Sequence, residues 1–286
     1  MKRKFLRITL ILIALFISFY YDKMDTTYSN PIDGNLEVYF LDVGQADAIL
    51  IRNNDEAMLI DAGNNEDGTL LSNYINSIGI TNFKFVVGTH PHEDHIGGLD
   101  NIINDFNIEH ILLPDAITTT KTFIEVLDAI ENKNMNYEVP VIGDEFNLGD
   151  SKIEVIYTGN DESDLNNTSI ILRLDYGEVS FLFTGDATDK TERKILNKNI
   201  DVDILKVGHH GSRYSTTQDF LKKVSPDYAI ISVGNNNSYG HPHNETLEKF
   251  EKNNIEFHRT DIEGTILINT DGEDIKITNI RTDTNG

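Results

Sequence analysis

The chain has 286 residues, with 24 Lys+Arg against 47 Asp+Glu for a formal net charge of −23, and 39% of residues are hydrophobic, a globular composition rather than a disordered or collagen-like one. It contains no Cys, which excludes disulfides, thiolate-ligated zinc or iron–sulfur centres and thiol nucleophiles, so any metal must rest on His and carboxylate. The negative balance argues against a duplex-binding module built on a Lys/Arg surface, yet not against chemistry on phosphates, because bound metal ions reverse the local field.

Residues 1–30 differ from the rest: Lys2, Arg3, Lys4 and Arg7 precede an apolar run over 8–21 that only Thr9 and Ser18 interrupt. This reads as a secretion signal or a signal-anchor that keeps its basic end inside, contacts the membrane and exports the body. A buried N-terminal helix is the alternative, although the run is apolar all round rather than amphipathic. The run is about 14 residues long, short of the roughly 20 that cross a bilayer. Residues 31–286, read as one domain, keep 19 basic and 45 acidic residues, a balance of −26.

Within this body, strand-like runs occupy 36–42, 48–52 and 57–61, followed by a helix over 69–78, a strand over 83–87 and a helix from about residue 97. A strand over 108–113 and a helix over 121–132 close the first half. The second half predicts strands near 152–157, 169–174, 179–184, 202–207, 228–233, 255–259 and 265–269, with helices near 190–198, 217–224 and 245–252. Two β-rich halves, each flanked by helices, imply an α/β fold of two sheets packed face to face with helices outside, a four-layer αββα sandwich.

Most of the nine His fall in three clusters: His90, His92 and His95; His209 and His210; His241 and His243. The first lies in Thr89-His90-Pro91-His92-Glu93-Asp94-His95-Ile96-Gly97-Gly98, a strand running into a loop and a glycine-led helix. That loop lets His90 and His92 converge on one ion while Asp94 and His95 point at a second. So much polar bulk on one loop is costly to bury without a partner, and imidazoles mixed with carboxylates suit zinc, manganese or iron.

The segment His90-x-His92-x-Asp94-His95, preceded by Leu59-Ile60-Asp61-Ala62-Gly63 and followed by Phe183-Thr184-Gly185-Asp186 and His209-His210-Gly211-Ser212, resembles the metallo-β-lactamase-fold hydrolase superfamily. Phe40-Leu41-Asp42-Val43-Gly44-Gln45-Ala46-Asp47-Ala48, Lys206-Val207-Gly208-His209-His210 and Tyr239-Gly240-His241-Pro242 narrow the resemblance to the hydrolase domain of ComEC/Rec2-like competence proteins, over roughly residues 36–280. The resemblance implies two divalent ions, Zn2+ or Mn2+. It further implies that His90 and His92 bind the first, Asp94 and His95 the second, and that Asp186 bridges them. One of His209 and His210 is expected to complete the second site; His210 is favoured as ligand, with His209 supporting a ligand from behind or passing protons, because neighbours on an extended chain point opposite ways. Asp61 is expected to orient a ligand His, or otherwise to cap the turn before Gly63.

Many members of the superfamily place a further His before the bridging Asp; here only His110 lies between His95 and Asp186, too early for that role. Asn166-Asn167-Thr168-Ser169 occupies the position instead, as a substrate-contacting amide or a turn-forming pair. His241 is placed at the mouth of the site or, alternatively, in a merely polar loop. Ser212 follows the His doublet without the Gly-x-Ser-x-Gly elbow of a serine nucleophile and is grouped with the possible substrate contacts. Gly44-Gln45-Ala46-Asp47 reads as a glycine turn and lacks the spacing of a phosphate loop.

The resemblance implies a hydrolase in which water bridging the ions becomes the attacking hydroxide, oriented by Asp94, while His209 or His241 protonates the departing group. The expected substrate is a phosphodiester, with single-stranded DNA favoured and Tyr214 and Tyr239 as stacking candidates. A phosphorylcholine-esterase-like activity at the cell surface and a non-catalytic, metal-stabilised binding domain are the alternatives.

Overall fold

Alternation within the strands sets the layers. In β1 (Leu36–Phe40) all five residues are buried, yet Leu36, Val38 and Phe40 join one apolar cluster and Tyr39 another, as the strand period of two demands. A strand apolar on both faces must lie between two layers. The computed structural model describes residues 35–280 apart from residue 162. The segment 1–30, expected to be a signal or anchor, lies outside the described residues, among which no helix is long and apolar enough to cross a membrane.

In chain order, β1 is followed by β2 (Ile49–Asn53), β3 (Glu56–Ile60), α1 (Gly68–Ser77), β4 (Asn82–Val87), α2 (Glu93–Ile96), α3 (Leu99–Asp105), β5 (Asn107–Leu112) and α4 (Lys121–Asn132). The second half contains β6 (Glu145–Leu148), β7 (Ser151–Tyr157), β8 (Ile171–Tyr176), β9 (Val179–Phe183), α5 (Asp189–Ile195), β10 (Ile204–Lys206), α6 (Gln218–Val224) and β11 (Tyr228–Ile231). It closes with α7 (Asn244–Asn253), β12 (Glu256–Arg259), α8 (Thr260–Glu263), β13 (Thr265–Thr270) and β14 (Ile275–Ile280).

These strands form two seven-stranded sheets, ordered β14-β13-β1-β2-β3-β4-β5 and β12-β11-β10-β9-β8-β7-β6. Between them lies one apolar layer that includes Val38, Phe40, Met58, Phe181, Phe183 and Ile204. Helices cover the outer faces: Ile75, Ile102 and Phe123 pack with Leu50, Leu59 and Val86, and Phe220 and Phe250 with Leu182, Leu205 and Ile231. The protein is therefore the four-layer αββα sandwich that the sequence implies. Strands β6 and β14 were not legible, because alternating exposed residues leave each only a weak apolar signal. The last hairpin returns to the first sheet, where β13 pairs antiparallel with β1, Leu36 opposite Thr270.

Neighbouring strands β3, β4 and β5 run parallel, as do β9 to β12. Parallel strands release their connecting loops at their carboxyl ends, where open α/β sheets collect ligands. Asp61 follows β3, His90 follows β4, Asp186 follows β9 and His209-His210 follows β10. Strands expected over 179–184 and 202–207 stop at Phe183 and Lys206, which frees the following residues for the site.

Candidate metal centre

Short backbone bonds lace these loops together: Asp61 N donates to Val87 O at 2.8 Å, Ala62 N to His95 O at 2.7 Å, and His209 N to Gly185 O at 3.2 Å. The His doublet does not sit on extended chain as expected. His209 and His210 both take left-handed conformations, with φ of 50° and 51°, a cost that non-glycine residues bear only where the surroundings hold them. Gly211 continues the turn at φ 81°, and a Cβ there would lie 2.5 Å from Pro242 Cβ, so glycine lets the loop carrying His241 press against the doublet. The turn brings both rings to Asp186, each Nε2 lying 3.7 Å from Oδ2, with the His210 side chain 2% exposed and that of His209 26% exposed.

Asp94, His95, Asp186 and His210 form a tight group of four: one ligand atom from each lies within 4.8 Å of the others. His95 Nε2 is 3.2 Å from Asp186 Oδ1, and His210 Nε2 is 3.4 Å from Asp94 Oδ2. Behind this group, His95 Nδ1 donates to Asp61 Oδ2 at 2.7 Å, and His210 Nδ1 donates to Ser232 O at 2.9 Å. Each ring therefore turns Nε2 toward the centre.

His90 and His92 form a separate pair, Nε2 and Nδ1 3.0 Å apart. Behind His90, Nδ1 lies 3.2 Å from Thr89 Oγ1 and 3.5 Å from Ser169 Oγ. Among the described residues, this pair joins no group of three or more such ligand atoms within 4.8 Å of one another.

The site shows its need for a cation in two ways. His95 Nε2, Asp186 Oδ1 and His210 Nε2 are buried without a hydrogen bond, an arrangement rare for buried polar atoms unless an ion or ligand completes it. The field around them is also negative. Burial pushes the His95 imidazolium down, but Asp186, Asp61 and Asp94 raise it well above the usual range; against the same burial, Asp186 and Asp47 lift His210 to about 10. Burial pushes the Asp186 and Asp94 carboxyls up, and neighbouring imidazoles, with His95 foremost, pull both below the ordinary carboxylate range. His90 moves the other way, held well below its ordinary value by burial and by the charge of His95. The carboxylates that raise these two imidazoles favour positive charge at this point, and the Asp94, His95, Asp186 and His210 donors fit a divalent ion, with O and N ligands of the kind zinc and manganese take.

The cleft in front encloses about 480 Å³ and is lined by Gln45, Asn64, His92, Asp94, Asn166, Asp186, His209, His210, Tyr239 and His241, among others. His241 Nδ1 has no partner; burial and the charges of His209 and His210 push this imidazole down to about 4. The two Asn separate in role. Asn167 is fully buried and its Oδ1 accepts from Thr188 and Thr191 hydroxyls at 2.6 and 3.1 Å, a clasp between the turn and α5. Asn166 faces the cleft with Oδ1 unpartnered. Ser212 is buried in its own turn, where Oγ accepts from Tyr214 N at 3.4 Å, and His110, on β5, pairs with Glu138.

Three residues of the site escape sequence reasoning. Gln45 Oε1 accepts from Gly234 N at 3.1 Å, where a Cβ on Gly234 would lie 2.5 Å from Gln45 N; this leaves Gln45 Nε2 buried and free of partners. Asp47 and Lys206 make a buried ion pair of 2.7 Å behind the ligands. Burial drives the Asp47 carboxyl up, yet Lys206 and His210 bring it down to about 2. Lys206 did carry a signal, a lone cation inside the apolar run Ile204-Leu205-Lys206-Val207, since Lys is almost never buried unless paired.

A family profile described as the metallo-beta-lactamase superfamily matches residues 41–235. The chain is 30% identical over 255 residues to ComE operon protein 3 of Bacillus subtilis, covering 80% of this chain and 32% of that protein. It is 28% identical to Recombination protein 2 of Haemophilus influenzae, covering 86% of this chain and 30% of that protein. The chain spans about a third of the length of these curated relatives. Among solved structures, the metallo-beta-lactamase fold protein YhfI from Bacillus subtilis aligns at a TM-score of 0.57 with 12% identity, over 82% of this chain and 99% of that one. Igni18, a metallo hydrolase from Ignicoccus hospitalis, aligns at 0.55 with 15% identity, over 82% and 98%. At these identities the structural likeness is one of fold.

Proposed function

The chain belongs to the metallo-β-lactamase superfamily, and from that premise we propose that it is a metal-dependent phosphodiesterase that cleaves nucleic acid outside the cytoplasmic membrane. His90 and His92 would hold one divalent ion, Asp94, His95 and His210 a second, with Asp186 between them. Such ions supply Lewis acidity, which activates water near neutral pH and offsets charge on phosphoryl oxygens.

Charge is the observation that carries the reading. Asp47, Asp61, Asp94 and Asp186 stand against one ammonium, Lys206, leaving −3 with neutral imidazoles, and two divalent ions bring the site to +1. A phosphodiester monoanion matches that balance. Gln45 presents its amide N–H groups to a non-bridging oxygen, because Gly234 occupies its carbonyl. His209 would hand a proton to the departing oxygen, while His241, its ring 5.5 Å away in the cleft and held neutral, would orient that oxygen through a hydrogen bond. Tyr239 is 65% exposed and stacks on His241 at 5.7 Å and 23°, a platform on which an unpaired base can continue the stack.

A body balance of −26 repels long duplex, so affinity is confined to the cleft and single strands are the better substrate. The similarity to competence and recombination proteins supports a nucleic acid as that substrate. The test compares the purified protein on single-stranded DNA, duplex DNA, bis-p-nitrophenyl phosphate and a β-lactam, with Mn2+, with Zn2+ and with chelator. Metal-dependent phosphodiester cleavage, fastest on single strands and lost in folded Asp94→Ala and His210→Ala, is the expected result. Turnover of the lactam alone would refute it, and metal binding without any turnover would make the protein a binding module. Export rests on residues 1–30: protease added to intact cells should digest the body, and complete protection would end that part of the proposal.

A further inference from the structure

The ion pair of Asp47 and Lys206 needs a reason. Lys206 extends from β10 in the second sheet, with its side chain 0% exposed, and its Nζ lies 2.7 Å from Oδ2 of Asp47, in the β1–β2 loop of the first sheet, whose side chain is 1% exposed. A second bond runs from Lys206 Nζ to Val207 O at 2.9 Å. Removing two charges from water costs more than such a pair commonly returns, and apolar replacements are often neutral or stabilising. Stability alone is therefore a weak reason for the pair.

Asp47 touches the metal centre at every ligand of the tight group except Asp186. Its N–H donates to Asp94 O at 3.0 Å, and its own carbonyl accepts from Gly63 N at 2.9 Å. Its Oδ1 lies 3.4 Å from His210 Nδ1 and its Oδ2 lies 3.8 Å from His95 Nδ1. Lys206 holds Oδ2 of this carboxylate from behind at 2.7 Å, while Oδ1 lies against the His210 ring.

We propose that Asp47 and Lys206 are positioning residues for the second metal site, a charge-balanced brace that fixes the rings of His210 and His95 and the backbone of Asp94. The inference rests on the metal reading of the site and not on the choice of substrate. Carboxylates and carbonyls behind ligand imidazoles commonly contribute about 10–100-fold to metal affinity, and the brace acts in the same way on two rings together. It contributes no net charge, so its effect is one of geometry.

The decisive variant is Asp47→Asn/Lys206→Met, which removes one charge of each sign and keeps both side-chain lengths close to the original. Binding of Mn2+ and of Zn2+ is followed by calorimetry and elemental analysis, with the circular dichroism and melting of the metal-free protein as the measure of fold. The expected result is a folded protein whose tighter ion binds about 10–100-fold more weakly. A folded double variant with affinity within about threefold of the parent, well inside that range, would overturn the proposal. If the double variant does not fold, the equally charge-balanced Asp47→Asn/Lys206→Gln decides by the same criterion, and failure of both to fold would assign the pair to folding alone and overturn the positioning role. Absence of any metal binding by the parent protein would instead refute the metal reading beneath it.

Discussion

His90 and His92 leave the same loop as Asp94 and His95, yet the two halves of the centre are held differently. His95 has the Asp61 carboxylate behind it at 2.7 Å, and His210 has the Ser232 carbonyl at 2.9 Å with Asp47 at 3.4 Å. Behind His90 stand hydroxyls only, Thr89 Oγ1 at 3.2 Å and Ser169 Oγ at 3.5 Å. Thr89 Oγ1 itself donates to Asp61 Oδ2 at 2.8 Å, so the one carboxylate reaches His95 directly and His90 through a hydroxyl. Backing of the direct kind fixes the ring and raises the basicity of the ligand nitrogen. Four ligand groups converge in one half and two in the other. The contrast teaches that two halves of one centre need not be held alike, and it can be broken by experiment.

The largest effect should follow removal of the group that faces the whole cluster. Asp186→Ala is expected to lose most bound metal, with affinity at the tighter site falling by more than about 100-fold, beyond what loss of an outer partner causes. Elemental analysis showing normal metal content in a folded variant would remove Asp186 from the centre. A smaller difference should separate the two halves in the unaltered protein: titration with Mn2+ should resolve two phases, the ion at His90 and His92 weaker by at least about tenfold and the first lost to a chelator. Replacing His90 by Ala should erase only the weak phase; two equal phases would show that the backing behind the rings is irrelevant. The smallest effect belongs to His110→Ala. His110 is 42% exposed at its side chain and pairs with Glu138, so metal content should be unchanged and stability should shift by no more than about 0.5 kcal/mol. Loss of metal there would mean that the first site extends to β5.

The candidate ligands on the His-rich loop were legible because four of them fall within six positions, where chain geometry alone keeps them together. Asp186 and the His doublet were legible by resemblance, although the conformation of the doublet was not. Sequence neighbours were expected to diverge, whereas three successive left-handed residues, with φ of 50°, 51° and 81°, curl both rings toward one carboxylate. Such backbone conformations have no clear pattern in non-glycine residues, since they persist only when packing elsewhere holds them. Asn166 and Asn167 also read alike in sequence, and only the position of α5 decides that one is a clasp and the other lines the cleft.

By itself the sequence determined the layers and the chemistry of the donors: period-two apolar runs on both faces require strands between layers, and a chain without Cys must bind metal through imidazole and carboxylate. Tertiary structure decided which surfaces meet. The last hairpin crosses back to pair β13 with β1, Gln45 is oriented by Gly234, 189 positions away, and Asp47 finds Lys206 across the two sheets. A residue pattern states that a side chain is to be buried and on which face of its own strand. It does not state which distant segment will lie against that face, because that depends on strand order and register, which the whole chain settles together.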